Sequence, residues 1–154
     1  GEKPIDFYTV GGMGCVSSIA LGFIRSSKSF NQVICIDGDG SLLMHMGSLF
    51  KTSQQKGFIH IVINNNSHDS VGGQPTNAFD IDFKKLGYSI GYNECYSTNR
   101  QNIFEDILEK ALTDNQKSYF IEVKVKKGSR DNLGRPKEIP VENKKHFIKK
   151  WSNH

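Results

Sequence analysis

The sequence contains few cysteines, few prolines and no long apolar run. Its three cysteines, Cys15, Cys35 and Cys95, are scattered and lack the CxxC spacing of redox and zinc motifs. No run approaches the roughly 18 apolar residues of a membrane span, and no signal-peptide pattern is present. We therefore expect a cytoplasmic protein with reduced thiols and no membrane contact.

Strong charge of one sign is also missing. Twenty basic residues against sixteen acidic ones give a net charge of +4, and most of the excess lies in the last third of the chain. Nucleic-acid-binding surfaces typically cluster basic residues, interleaved with aromatics, on one face. Here Phe147, Ile148 and Trp151 instead form the apolar side of a short terminal helix, with lysines outside it. We expect a solvated lysine face and no nucleic-acid partner.

Two apolar segments, residues 33–36 and 58–63, do not alternate with polar residues, which is typical of parallel strands buried on both faces. The residues between them predict a helix, because apolar side chains recur there at helical spacing. These side chains are Leu42, Met46, Leu49 and Phe50. In a strand–helix–strand unit of this kind, both strands end at the same edge of the sheet.

Polar residues follow each of these strands, at positions 38–41 and 64–66. We expect Asp39 and Asn65 to approach one another at the sheet edge. A carboxylate, an amide oxygen and backbone carbonyls suit Mg2+, which takes its other ligands from phosphates and water. Gly40 lets a bulky anion approach the backbone, and the N–H groups that open the next helix favour negative charge. The pattern predicts a magnesium-bridged diphosphate.

Two other interpretations of this segment are open. The string Asp37-x-Asp39-Gly40 is superficially similar to a calcium loop, but an EF-hand needs a glutamate near position 48, which is Ser48, and a preceding helix. An ordinary turn is the other alternative. The paired asparagines after the second strand favour the metal site over both.

A second glycine motif lies upstream. Residues 7–10 predict a strand, followed by a glycine turn at 11–14 that could bring backbone N–H groups toward phosphate. A nicotinamide-binding Rossmann unit is the main alternative, since Ser17 takes the third glycine position and Asp37 ends the next strand where a ribose-binding acid belongs.

The rest of the chain continues an alternating pattern without internal repeats. We expect a single domain over residues 1–154, with a doubly wound α/β fold and a parallel sheet. The further predicted elements are helices over 15–25, 83–86 and 103–112, and strands near 92–96 and over 119–125.

The spacing from Gly38-Asp39-Gly40 to Asn64-Asn65 resembles the fingerprint of thiamine diphosphate-dependent enzymes. In that family the aspartate, the second asparagine and the carbonyl two residues later hold the metal, which implies Asp39, Asn65 and the Ser67 carbonyl. The Gly12-Met13-Gly14 turn looks like the turn that supports the bent cofactor from below. A core role for Met13 is the alternative.

Residues 64–76 look like phosphonopyruvate decarboxylase, and sulfopyruvate decarboxylase is similar here. The family usually has Gly-Ala where this chain has Asn66-Ser67, a mild departure because the metal contact at 67 is made by the backbone. His68 and Asp69 follow these residues and are candidates to face the cofactor. The implied cofactor-binding set is Gly12, Met13, Gly14, Gly38, Asp39, Gly40, Ser41, Asn65, Ser67, His68 and Asp69.

The tail from residue 127 to residue 145 also resembles these decarboxylases. It carries Arg130 and Arg135, whose planar donors suit phosphonate or sulfonate oxygens, so both are candidates to bind the substrate anion. The alternative is that both arginines pair with surface carboxylates.

The resemblance implies decarboxylation of phosphonopyruvate to phosphonoacetaldehyde, with thiamine diphosphate and Mg2+ as cofactors. Sulfopyruvate decarboxylase is the nearest alternative, and a noncatalytic regulatory domain is a third. In the family the activating glutamate comes from a pyrimidine-binding domain of a neighbouring subunit. No such glutamate is assignable here, and His68 is the one possible catalytic residue. We therefore expect a diphosphate-binding half that works with a second domain or subunit, in a homo-oligomer.

Overall fold

The computed structural model describes residues 6–129, 131–134, 136 and 138–151. Over these residues, four strands form one sheet in the order β1–β2–β4–β3, and every neighbouring pair is parallel. The strands are β1 (Val33–Gly38), β2 (Phe58–Asn64), β3 (Glu94–Thr98) and β4 (Tyr119–Lys124).

Six α-helices accompany the sheet in the described part of the chain. They are α1 (Val16–Ser26), α2 (Asp39–Met44), α3 (Leu49–Thr52), α4 (Phe83–Ile90), α5 (Gln101–Thr113) and α6 (Pro140–Trp151). Three short 3-10 turns lie at Met46–Ser48, Asp69–Val71 and Asn77–Asp80. None of the helices in the described ranges is long and apolar enough to cross a membrane.

Helices cover both faces of the sheet. On one face, Cys35 and Phe58 pack against α1, while Val62 and Phe120 pack against α2, α3 and α4. On the other face, α5 covers the alternate residues of β2 and β4, because side chains point to opposite faces along a strand. The prediction of a doubly wound α/β fold with a parallel sheet is therefore confirmed.

The face covered by α5 is incomplete at β1. Ile34 and Ile36 of this edge strand are 45 % and 61 % exposed. A parallel strand is normally apolar because both of its faces are buried. The apolar run at 33–36 is thus buried on one face only in this chain.

The predicted strand at residues 7–10 is wrong, since these residues form no strand. The segment is held instead by side-chain contacts: Phe7 packs on Phe147 with ring centroids 5.1 Å apart, and the Asn143 side chain donates to the Tyr8 carbonyl at 2.7 Å. Phe147 and Trp151 also pack on Phe23 of α1, as predicted for the apolar side of the terminal helix, whereas Ile148, predicted on the same side, is nearly half exposed.

The single helix predicted between β1 and β2 is interrupted. His45, with φ −138° and ψ 44°, ends α2, and a 3-10 turn leads into α3. Leu42 and Leu49 are buried as predicted, but Phe50 is largely exposed. Elsewhere α4 runs four residues further than the predicted 83–86, to Ile90, and β3 begins at Glu94 rather than near 92.

Candidate diphosphate and metal site

The ends of β1 and β2 place the predicted metal ligands at one edge of the sheet. Gly38, the last residue of β1, is in register with Ile63 of β2. Asp39 then begins α2 and Asn65 begins the following loop. The structure therefore brings the two segments together at the carboxyl edge, as the parallel strand–helix–strand unit predicts.

Residues 65–76, here called the 65–76 loop, fold back on themselves toward Asp39. Ser67 and Pro75 form an isolated antiparallel bridge, and the Thr76 N–H donates to the Asn66 carbonyl at 3.2 Å. The Thr76 hydroxyl then donates to Oδ2 of Asp39 at 2.5 Å. Thr76 thus ties the loop that carries Asn65 to the carboxylate of Asp39.

Asp69 organises the beginning of this loop. Its Oδ1 accepts from the Ser67 hydroxyl at 2.6 Å, and its Oδ2 accepts from the Asn65 amide at 2.8 Å and from the Gly128 N–H at 2.7 Å. These donors favour the ionised form, so the hydrogen bond from Ser67, followed by that from Gly128, holds the pKa of Asp69 below its ordinary value. With both oxygens engaged, Asp69 orients Asn65 and anchors the segment after β4.

The upstream glycine turn packs directly on α2. The Gly14 N–H donates to the Ser41 hydroxyl at 2.8 Å. A Cβ at Gly14 would lie 2.2 Å from Nδ1 of His45, and Gly14 has φ +85°. The two glycine motifs therefore meet in space. Met13 in this turn is partly buried and is not part of the core clusters formed by the described residues.

Gly40 leaves room for the His68 ring. A Cβ at Gly40 would lie 2.4 Å from Cε1 of that ring. The Nδ1 atom of His68 is buried and has no hydrogen-bond partner among the described residues. The first turn of α2 also has no side-chain cap, because the residue that precedes the helix is Gly38, which has no side chain. An orphaned imidazole nitrogen beside uncapped N–H groups and a bare glycine fits an anionic group such as a diphosphate.

Asp37 does not occupy the position of a ribose-binding acid. It is 4 % exposed and its Oδ2 lies 3.8 Å from Nε2 of His60, which is fully buried on the same face of the sheet. Neither of these atoms has a hydrogen-bond partner in the described part of the chain. A carboxylate enclosed in this way cannot reach a ribose in an open cleft, so the geometry opposes the nicotinamide alternative.

The described residues contain no cluster of three or more His, Cys, Asp or Glu side chains arranged for a metal ion. The expected ligand set has only one such side chain, Asp39, and completes its shell with an amide, a carbonyl and phosphate oxygens. A pocket of about 240 Å³ adjoins the glycine turn and is lined by Gly14, Cys15, Ser18, His45, Gly47 and Ser48. None of the predicted metal ligands lines it.

Sequence reasoning gave no role to Thr76 or His45. Thr76 lies inside the recognised 64–76 segment, but its bond to Asp39 depends on how the loop folds back. His45 follows an apolar helical pattern, and nothing in its spacing indicates contact with Gly14. Arg130 and Arg135, the predicted substrate-anion residues, lie outside the described residues.

The sequence also matches a protein-family model. Residues 2–123 match the thiamine pyrophosphate enzyme C-terminal TPP binding domain. The chain therefore belongs to this family, whose members bind the cofactor that the GDG and NN motifs predict. The GDG motif spans the end of β1 and the start of α2, and the NN motif spans the end of β2 and the start of the 65–76 loop.

Among named relatives, the chain is 33 % identical over 148 residues to phosphonopyruvate decarboxylase from Streptomyces viridochromogenes, covering 95 % of this chain and 36 % of that protein. It is 30 % identical over 149 residues to sulfopyruvate decarboxylase subunit beta from Methanococcus maripaludis, covering 96 % and 78 % of the two chains. The corresponding subunit from Methanocaldococcus jannaschii is 42 % identical over 116 residues, covering 73 % and 60 %.

A solved structure shows the same fold. The X-ray structure of a protein from Mycobacterium smegmatis, described as a thiamin diphosphate-dependent enzyme, aligns with a TM-score of 0.64 at 21 % identity, covering 77 % of this chain and 23 % of that one. The chain thus spans about a third of the length of the Streptomyces decarboxylase and about a quarter of the mycobacterial protein.

Proposed function

We propose that this chain is the diphosphate- and metal-binding domain of a thiamine diphosphate-dependent 2-oxo acid decarboxylase. The observation that carries the proposal is the Thr76 bridge, which joins the Asp39 carboxylate to the loop of Asn65 at the carboxyl edge of the sheet. In the proposed role, all of residues 1–154 belong to one such domain.

The proposed metal is Mg2+, held by the Asp39 carboxylate, the Asn65 side-chain oxygen and the Ser67 carbonyl. These are hard oxygen ligands, and a single carboxylate leaves positions for two phosphate groups and water. The backbone at Gly38, Gly40 and Ser41 would receive the diphosphate, because α2 begins there without a side-chain cap. The buried Nδ1 of His68, which has no partner among the described residues, would donate to the diphosphate in the tautomer that carries its proton there.

When bound, thiamine diphosphate supplies the electron sink for the loss of CO2 from a 2-oxo acid. This chain's contribution is binding and orientation. The Gly12–Met13–Gly14 turn is fixed against α2 by the Gly14–Ser41 hydrogen bond, so it can support the cofactor from below. Asp69 holds the Asn65 amide in one orientation, with its oxygen directed to the Ser67 N–H at 3.0 Å until a metal competes for it.

We propose phosphonopyruvate as the substrate, converted to phosphonoacetaldehyde and CO2. The 33 % identity to the Streptomyces enzyme over 95 % of this chain supports this choice. Sulfopyruvate is the second candidate, supported by the match to the Methanococcus maripaludis subunit over 96 % of the chain and by 42 % identity to the subunit from Methanocaldococcus jannaschii. Both substrates carry an anionic group, for which Arg130 and Arg135 stay the predicted partners.

The proposed partner is a pyrimidine-binding domain, which lies either in the same polypeptide of a homo-oligomeric enzyme or in a second, different subunit. Two observations support it: the relatives include proteins named as beta subunits, and exposed apolar side chains occur on elements at or beside the site. Met44 of α2 is one, and Val71 and Phe79 of the segment after β2 are two more. A partner domain would bury such side chains and enclose the cofactor.

The test is calorimetric titration of thiamine diphosphate into the complete enzyme with Mg2+ present. Asp39→Asn keeps an acceptor for the Thr76 hydroxyl but removes the charge, so we expect binding to weaken by roughly 10- to 100-fold, the value of one charge-assisted contact. A chelator should weaken wild-type binding similarly. Asp106→Asn, at an exposed position of α5, is the control. Wild-type affinity in Asp39→Asn, or binding insensitive to chelator, would refute the metal site.

A further inference from the structure

Glu122 is a buried acid in the middle of the carboxyl-terminal strand. It lies on β4 and is 2 % exposed. The Asn64 amide donates to its Oε1 at 2.6 Å, and the Ser97 hydroxyl donates to its Oε2. The half-exposed Lys124 ammonium stands 3.9 Å from Oε2. A buried carboxylate is unfavourable unless it is hydrogen-bonded, and one of the bonds that this carboxylate accepts comes from Asn64, the first residue of the Asn pair.

Glu122 determines which way the Asn64 amide faces. Both oxygens of Glu122 act as acceptors, one from the Asn64 amide and one from the Ser97 hydroxyl, so the acid binds the NH2 end of the amide and the amide oxygen faces away. That oxygen accepts from the Asn66 N–H at 3.1 Å. The reversed amide would set oxygen against carboxylate and NH2 against N–H, two repulsive contacts. The acid on β4 therefore imposes the orientation that bonds the backbone of the 65–76 loop.

The hydrogen bond from the Asn66 N–H to the Asn64 side chain holds a residue with an unfavourable backbone conformation. Asn66 has φ +56°, and it is the non-glycine residue with positive φ in the described part of the chain. Left-handed backbone is unfavourable for residues with a side chain and persists where neighbouring contacts hold it. Its carbonyl accepts from the Thr76 N–H, and the Thr76 hydroxyl binds Asp39. Hydrogen bonds thus connect Glu122 to Asp39 through Asn64, Asn66 and Thr76.

We propose that Glu122 is a positioning residue for the metal site. It acts through Asn64 to hold Asn66 in the left-handed conformation, and so sets where Asn65 and the Ser67 carbonyl lie relative to Asp39. The part of this inference that concerns metal affinity rests on the proposed function. The part that concerns the conformation of the 65–76 loop does not.

The test compares two neutral replacements in the complete enzyme. Glu122→Met keeps the volume but removes the acceptor, whereas Glu122→Gln keeps an acceptor for Asn64 at the same net charge. Mn2+ affinity is measured by electron paramagnetic resonance with thiamine diphosphate present. Hydrogen–deuterium exchange is measured by mass spectrometry on peptides that cover the 65–76 loop and, as a reference, α5. We expect Mn2+ to bind at least tenfold more weakly to Glu122→Met than to Glu122→Gln.

Loop exchange should be about tenfold faster in Glu122→Met, while α5 peptides exchange as in the wild type. Equal affinity and equal loop exchange in the two variants would overturn the proposal. If the wild type binds no Mn2+, the proposed metal site fails, and the exchange comparison alone decides the role of Glu122.

If Glu122→Met does not fold, exchanging the acid and the amide between positions 122 and 64 provides a second test. Asn64→Asp places a second carboxylate against Glu122, and the double variant Asn64→Asp/Glu122→Gln exchanges the amide and the acid. The amide introduced on β4 could then donate to the new carboxylate, whose other oxygen still accepts from Asn66. We expect fast loop exchange in the single variant and near wild-type exchange in the double variant. Absence of this rescue would overturn the proposal.

Discussion

At the scale of single residues, the candidate site depends on side chains that hold its ligands as much as on the ligands themselves. The Thr76 hydroxyl donates a hydrogen bond to Asp39, and the Asp69 carboxylate accepts hydrogen bonds from the Asn65 amide and the Gly128 N–H. Each bond leaves fewer orientations open to a proposed metal ligand. Preorganisation of this kind lowers the entropy lost when a metal and a diphosphate bind.

Gly14 offers a test of the contact between the two glycine motifs. Gly14→Ala puts a methyl group into the His45 ring at a residue with φ +85°, so both crowding and backbone strain oppose it. We expect a loss of about 2–4 kcal/mol in the free energy of unfolding and weaker cofactor binding. Chemical denaturation and cofactor titration provide the two measurements.

Gly11→Ala is the matched control for Gly14→Ala. Gly11 has φ +77° but nothing within 4 Å of an added Cβ, so this variant carries the backbone strain without the crowding. We expect the backbone strain alone to lower the free energy of unfolding by about 1–2 kcal/mol. Equal losses in the two variants would show that contact with His45 contributes nothing.

At the scale of secondary-structure elements, Glu94 connects β3 to its neighbours. Its carboxylate accepts from Lys117, which precedes β4, from Tyr96 of its own strand and from Lys110 of α5. The bond from Lys117 is the largest cause, followed by that from Tyr96, and together they lower the pKa of Glu94 from 4.5 to about 2. This cluster joins the edge strand to α5 on the face that α5 covers.

The lowered pKa of Glu94 predicts an acid-sensitive contribution to stability. Because the unfolded chain binds the proton at higher pH than the folded one, the contribution is complete above pH 4.5 and is lost as pH falls toward 2. Glu94→Gln should remove it, lowering the free energy of unfolding at neutral pH by about 1 kcal/mol, since the lysine partners are partly exposed. Denaturant titrations between pH 2 and 7 measure the difference.

Glu109→Gln, at an exposed position of α5, is the control for Glu94→Gln. It should change the pH dependence little, because the Glu109 carboxylate forms no hydrogen bond or ion pair with the described residues, and only its backbone carbonyl accepts from Thr113. A constant difference between wild type and Glu94→Gln over the whole pH range would contradict the electrostatic explanation.

At the scale of the whole molecule, the described residues form a four-stranded parallel sheet whose helices leave part of one face uncovered. Ile34 and Ile36 are exposed on β1, and Phe50 and Phe79 are exposed on elements that follow β1 and β2. Exposed apolar side chains in such numbers are typical of surfaces that contact another domain or subunit. They support the proposal that catalysis needs a second domain.

The chain by itself should therefore not release CO2 from phosphonopyruvate, even with thiamine diphosphate and Mg2+. No acid that could activate the cofactor is assignable in this sequence, and binding groups alone do not supply that step. Carbon dioxide release is measured before and after adding the proposed pyrimidine-binding domain, with circular dichroism to verify that the chain is folded. Turnover by the folded chain alone would contradict the proposal, and sulfopyruvate tested in parallel would compare the two substrates.

Local sequence patterns were sufficient to predict much of the secondary structure of this protein and the positions of two proposed metal ligands. The uniform apolar runs predicted β1 and β2, although helices cover both faces of β2 alone and leave Ile34 and Ile36 of β1 exposed. The glycine turn predicted the start of α1, and the helical spacing of apolar residues predicted α5. The positions of Asp39 and Asn65 followed from a rule of parallel sheets, in which consecutive strands end at the same edge. The spacing of the GDG and NN motifs also identified the family.

Only the tertiary structure decided which residues complete the site. Thr76 meets Asp39 because the 65–76 loop folds back, and Glu122 meets Asn64 because β4 lies beside β2 in the order β1–β2–β4–β3. Residues 7–10 have the composition of a strand but are held by Phe147 and Asn143 of the terminal helix. Local sequence encodes the propensity of each segment, whereas such contacts depend on which distant segments the fold places side by side.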